Sequence, residues 1–84
     1  MDPIHTTKRL GYQTILYPNR LVISEKPGIF PAKETILLVK TIAGIDVARM
    51  NQELTIKTND GRSTRIKVYG KEALALRDAL LALL

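Results

Sequence analysis

From Tyr12 to Tyr69 the chain is punctuated every few residues, and this punctuation limits the fold more than any other feature. Short apolar bursts rich in β-branched side chains are separated by turn signals at Pro18-Asn19, Lys26-Pro27-Gly28, Pro31-Ala32, Met50-Asn51 and Asn59-Asp60-Gly61. The spacing predicts a meander of strands over Gln13–Tyr17, Arg20–Ser24, Thr35–Val39, Gly44–Met50, Glu53–Thr58 and Ser63–Tyr69, with Gly28–Phe30 as a short extra strand. After Tyr69-Gly70 the period changes from two to helical, and Lys71 to Leu84 is built almost wholly from strong helix formers. The expected fold is mainly β with one C-terminal α-helix: an antiparallel, curved sheet of six or seven strands capped by the helix.

The last hairpin can be read to its register. Leu54 and Ile56 lie on one face of their strand, and Ile66 and Val68 on one face of the next. Directly opposed residues share a face, so a two-residue Asp60-Gly61 turn, which sets Ile56 opposite Arg65, mixes core with solvent. A three-residue loop Asn59-Asp60-Gly61, with the glycine in the left-handed region, sets Ile56 opposite Thr64 and Leu54 opposite Ile66. Thr55, Lys57, Arg65, Lys67 and Tyr69 then face outward together.

At about 100° per residue, Ala73, Leu76, Leu80, Leu83 and Leu84 form one apolar stripe on the helix, suited to lying on the sheet. Leu74 and Leu81 fall outside that stripe, one heptad apart. They are candidates for an interface with a second chain, or they widen the core under a curved sheet.

A chain of 84 residues holds one domain rather than two. With 45% apolar and 25% charged residues it has the composition of a globular protein. The domain is expected to span residues 12–84, with residues 1–11 as a loosely attached N-terminal segment. The absence of cysteine removes disulfides, thiolate nucleophiles and sulfur-based zinc sites. The N-terminus lacks the pattern of a secretory signal, and no apolar stretch approaches the length of about 20 residues that a membrane span needs. A cytoplasmic location is the expectation.

The order of these elements resembles the pleckstrin-homology-like (PH-like) fold, in particular the small bacterial PH-like domains. The resemblance is carried by Arg20-Leu-Val-Ile-Ser24, by Ile36 to Val47, by the hairpin Leu54 to Gly61 with Arg65 to Val68, and by the closing helix. It implies a partly open barrel and a tight turn near Ile42 between two central strands. Because the chain is short for the seven-strand version, it leaves room for one strand to be missing or supplied by a partner. Phosphoinositide-binding members place a lysine in the first strand and a basic-x-Arg pair in the second. Read on Arg20-Leu21-Val22 as the second strand, this chain supplies one charge without its neighbour.

Catalysis needs a nucleophile, a base or a metal set whose members converge, and the inventory is thin. His5 is the only histidine. Asp46, between Ile45 and Val47, is expected to point outward and pair with a lysine. No Gly-rich phosphate loop precedes a helix. No catalytic residue, metal site or cofactor is therefore expected. The net charge of +5 favours anionic partners, and Lys57, Arg65 and Lys67 with Tyr69 form a weak candidate for binding an anionic surface or nucleic acid. The same residues also suit a charged, solvated sheet face. The sequence thus points to an interaction or assembly module, forming a homo-oligomer or binding a protein partner.

Overall fold

The computed structural model describes residues 2–9, 11–26, 28, 29, 31–50 and 52–84. Its elements are strands β1 (His5–Arg9), β2 (Tyr12–Leu16), β3 (Arg20–Glu25), β4 (Lys33–Leu38), β5 (Ile42–Val47), β6 (Leu54–Thr58) and β7 (Ser63–Ile66), and helix α1 (Gly70–Leu81). A 3-10 turn at Val39–Thr41 joins β4 to β5. Strands β1 to β4 form one antiparallel sheet in sequence order, and β5 to β7 form a second. The fold is mainly β with one C-terminal helix. The strands are split between two sheets rather than sharing one, and the sheets are not closed into a barrel.

The N-terminal segment departs from expectation. Residues 5–9 are not loosely attached: they pair along their whole length with β2, from His5 opposite Leu16 to Arg9 opposite Tyr12. The Ile4 amide also donates to the Leu16 carbonyl at 2.7 Å. Thr7, the middle residue of β1, is buried. With β1 in place the described residues hold seven strands. Gly28 and Ile29, expected in a short strand, lie in a turn, and Phe30 falls outside the described residues.

Inward-facing side chains of both sheets meet those of α1 in one core. Leu16, Leu21, Leu54, Ile56, Ile66, Val68, Leu76 and Leu80 are all fully excluded from solvent. Each such side chain contributes roughly 1.5–3 kcal/mol by leaving water. The β6–β7 register is the expected one, Leu54 opposite Ile66 and Ile56 opposite Thr64. Gly61 takes φ +87°, a conformation that a Cβ disfavours. Asp60 ties the loop, its Oδ1 accepting from Thr58 Oγ1 at 2.6 Å and from the Arg62 amide at 3.0 Å.

Two boundaries shift for identifiable reasons. Strand β7 stops at Ile66, because the Val68 amide folds back onto the Ile66 carbonyl at 2.8 Å and turns the chain towards the helix; Tyr69 is the N-cap residue and not a strand residue. At the other end α1 stops at Leu81, and Leu83 and Leu84 donate to the carbonyls three residues earlier, at 3.0 and 3.2 Å. That tighter winding carries the last residues off the 100° progression. Ala73, Leu76 and Leu80 are buried and Leu83 is half-buried, but Leu84 is 56% exposed.

One long-range hydrogen bond fastens the two sheets. The buried Tyr12 of β2 places its hydroxyl oxygen 3.0 Å from the Lys67 amide, which donates to it. Burial raises the Tyr12 pKa above its ordinary value, against the opposing effect of that hydrogen bond.

Candidate functional site

The basic hairpin face assembles only in part. Strand β6 presents Lys57 and β7 presents Arg65 on the outer face, where Lys57 lies opposite Ser63 and Arg65 opposite Thr55. Lys67 and Tyr69 follow in the run to the helix, and all four residues are exposed. Each cation has its own carboxylate. Lys57 Nζ lies 3.0 Å from Asp46 Oδ2, Arg65 Nε 2.6 Å from Glu53 Oε1, and Lys67 Nζ 3.4 Å from Glu25 Oε2. Asp46 therefore points outward to a lysine as expected. The Tyr69 ring is engaged too, with the Arg9 guanidinium carbon 5.4 Å from its centroid. The face is balanced cation for anion and offers a polyanion little net attraction.

Strand β1 shifts the strand numbering by one position from that expected. Arg20 belongs to the third strand, not the second, and lies 4.1 Å from the Tyr17 ring centroid. The first strand does carry a lysine, Lys8, but the second, Tyr12–Leu16, carries no basic residue. What the sequence reading missed is the grouping of Lys8, Arg9 and Lys26 around Gly11. They line a recess of about 190 Å³ with Gln13, Ser24 and Glu25. The adjacent Lys8-Arg9 pair was the available signal; only the β1–β2 and β2–β3 pairings bring Lys26 to it.

His5 accepts or donates one hydrogen bond, with Thr7 Oγ1 at 3.3 Å from its Nε2. Among the described residues no group of three His, Asp or Glu side chains could hold a metal ion, and no helix is long and apolar enough to cross a membrane.

Of the two leucines set apart on the helix, Leu81 is 52% exposed and Leu74 is half-buried, outside the buried core. A second exposed apolar set lies on β4, where Ile36 is 54% and Leu38 is 44% exposed. Leu38 and Leu83 line one cleft of about 400 Å³ with Pro18, Asn19, Val39 and Lys40. That cleft lies between the outer strand of the first sheet and the end of α1. The run Ile36-Leu37-Leu38 held the signal: three consecutive apolar residues on a strand cannot all share one face, and only one face of this sheet is covered by the core. Compared with known proteins, the chain matches no family model, no curated protein and no solved structure.

Proposed function

We propose that the chain is a non-enzymatic PH-like interaction module that acts by protein–protein contact, in the first place with copies of itself. The PH-like reading is supported by the element order, strands throughout and then one terminal helix, with seven strands among the described residues. The observation that carries the contact reading is the exposure of large apolar side chains on β4 and at the end of α1: Ile36, Leu38, Leu81 and Leu84 are each between 44% and 56% exposed, and Leu38 and Leu83 line one cleft between the two elements. Contiguous exposed apolar surface marks an interface more often than scattered residues do.

Light scattering after size exclusion, over a range of concentrations, is expected to show a dimer or larger species. The double variant Leu81→Lys with Leu84→Lys, placed at exposed positions, is expected to stay folded and to shift towards monomer. A wild-type chain that stays monomeric at the highest concentration would refute self-association.

A second reading rests on the recess at Gly11, where Lys8, Arg9 and Lys26 gather. It would bind an anionic surface through that turn rather than through the hairpin of Lys57, Arg65 and Lys67. Retention on acidic vesicles at low ionic strength tests it, and the retention should disappear as salt approaches physiological strength.

A further inference from the structure

Two large apolar side chains stand almost wholly in water, and both are carried by turns. Ile29, between β3 and β4, is 98% exposed, and Met50, between β5 and β6, is 97% exposed. The other large exposed apolar side chains among the described residues lie between 38% and 56%, so each keeps about half of its surface packed. A Cβ placed on Gly28 would meet no atom within 4 Å, so the turn that carries Ile29 stands clear of the body. Neither side chain adds to the core, and the apolar surface of each stays hydrated in the folded chain.

The bases of these two turns are fastened to one short segment. Glu25, the last residue of β3, pairs with Lys67, and Glu53, just before β6, pairs with Arg65. The Lys26 amide donates to the Gly11 carbonyl at 2.9 Å, which sets the β1–β2 turn beside the β3–β4 turn. The same end of the molecule is rich in unmatched positive charge. Lys8, Arg9, Lys26 and Lys33 flank the first two turns, and Arg49 precedes Met50. All five are exposed, and none forms an ion pair among the described residues. The acids at the turn bases, Glu25 and Glu53, are already matched by Lys67 and Arg65, which leaves Glu34 beside Lys33 as the remaining exposed carboxylate of these flanks.

We propose that this end of the molecule docks on an anionic lipid bilayer, with Ile29 and Met50 entering the interfacial layer while the flanking cations meet the headgroup phosphates. The inference deepens the anionic-surface reading of the Gly11 recess and rests on it: that reading asks only for negative charge, whereas this one assigns the charge to a lipid surface. The occupant is selected by two chemistries present together. A nucleic acid would match the cations and leave Ile29 and Met50 hydrated. An apolar protein pocket would take the two side chains and leave the cations without counter-charges. A bilayer of acidic lipids offers phosphate at its surface and hydrocarbon directly beneath, so it satisfies both. The arrangement differs from headgroup capture in a basic pocket, since β2 carries no basic residue and the contact is made by turn tips. Two side chains are too few to hold the domain on hydrocarbon alone, so electrostatic attraction and tip insertion act together.

The test compares vesicles of equimolar phosphatidylcholine and phosphatidylglycerol, vesicles of phosphatidylcholine alone, and heparin as an anionic polymer without hydrocarbon, all at low ionic strength. The wild type is expected to float with the acidic vesicles and not with the neutral ones. Ile29→Ser with Met50→Ser is expected to weaken vesicle binding by about tenfold or more while eluting from heparin as the wild type does, because only the contact with hydrocarbon is lost. Its circular dichroism should match the wild type, since neither side chain packs against the body. The chain contains no tryptophan, so Ile29→Trp places a single reporter at the tip of its turn. Its emission is expected to move to shorter wavelength on acidic vesicles and to be quenched by brominated acyl chains, with no such shift on heparin. If the double serine variant binds acidic vesicles as tightly as the wild type and the tryptophan emission does not move, the insertion inference fails and the anionic-surface reading stands. If the wild type is not retained by acidic vesicles even at low ionic strength, both fail.

Discussion

Tyr12 and Thr14 sit two residues apart on the inward face of β2, and their oxygens fare differently. The Tyr12 hydroxyl accepts from the Lys67 amide, 55 positions further along the chain, so no local pattern announces it. Tyr12→Phe leaves that amide without its partner and is expected to cost about 1–3 kcal/mol in urea denaturation. The same residue sets an alkaline limit. Its pKa is raised by burial, so between the unfolded value near 10.0 and the folded value the native state holds a proton that the unfolded state has lost. Stability contributed by Tyr12 is therefore present below about pH 10 and falls as pH rises above it, and Tyr12→Phe should flatten that part of the curve. Thr14, fully buried, has no hydrogen-bond partner for Oγ1 among the described residues. Thr14→Val keeps the shape and removes the unpaired oxygen, so it is expected to raise stability by roughly 1 kcal/mol. A loss of that size instead would show that the hydroxyl is satisfied.

At the scale of elements, what could be read depended on whether one face alone was apolar. The β6–β7 hairpin alternates cleanly, and its register and loop follow from Leu54, Ile56, Ile66 and Gly61 alone. Strand β1 reads His-Thr-Thr-Lys-Arg, with a threonine at its one buried position, so no hydrophobic period marks it as part of the sheet. Strand β4 fails in the opposite way: apolar residues on both faces hide which pair is exposed, and the candidate contact at Ile36 and Leu38 was not legible for that reason. The candidate leucines of α1 were legible as lying off the main stripe, though not as unequally exposed. Leu76→Ala and Leu80→Ala are each expected to lose about 2–5 kcal/mol in chemical denaturation, since both side chains are fully buried beneath the sheets. Leu74→Lys with Leu81→Lys should leave the domain folded, because neither leucine belongs to the buried core. Unfolding of that double variant would place Leu74 in the core.

Across the whole molecule the positive charge is unevenly neutralised. The cations of the β6–β7 face are matched by Asp46, Glu53 and Glu25, whereas Lys8 and Lys26 form no ion pair among the described residues. On a heparin column Lys8→Glu with Lys26→Glu should lower the eluting salt concentration more than Lys57→Glu with Lys67→Glu, although each pair changes net charge equally. Equal shifts would mean that only total charge matters. The meander has a kinetic consequence as well. Every strand pairs with a neighbour in sequence, so each hairpin can zip without waiting for a distant part of the chain. The distant contacts include the docking of α1 on β1, β5 and β6, the Tyr12–Lys67 bond, the Lys67–Glu25 ion pair and the Arg9–Tyr69 contact. Refolding should therefore be quick for a β protein, with strand protection appearing first. The fluorescence change reporting on Tyr12 should come last, as the two preformed sheets close on each other.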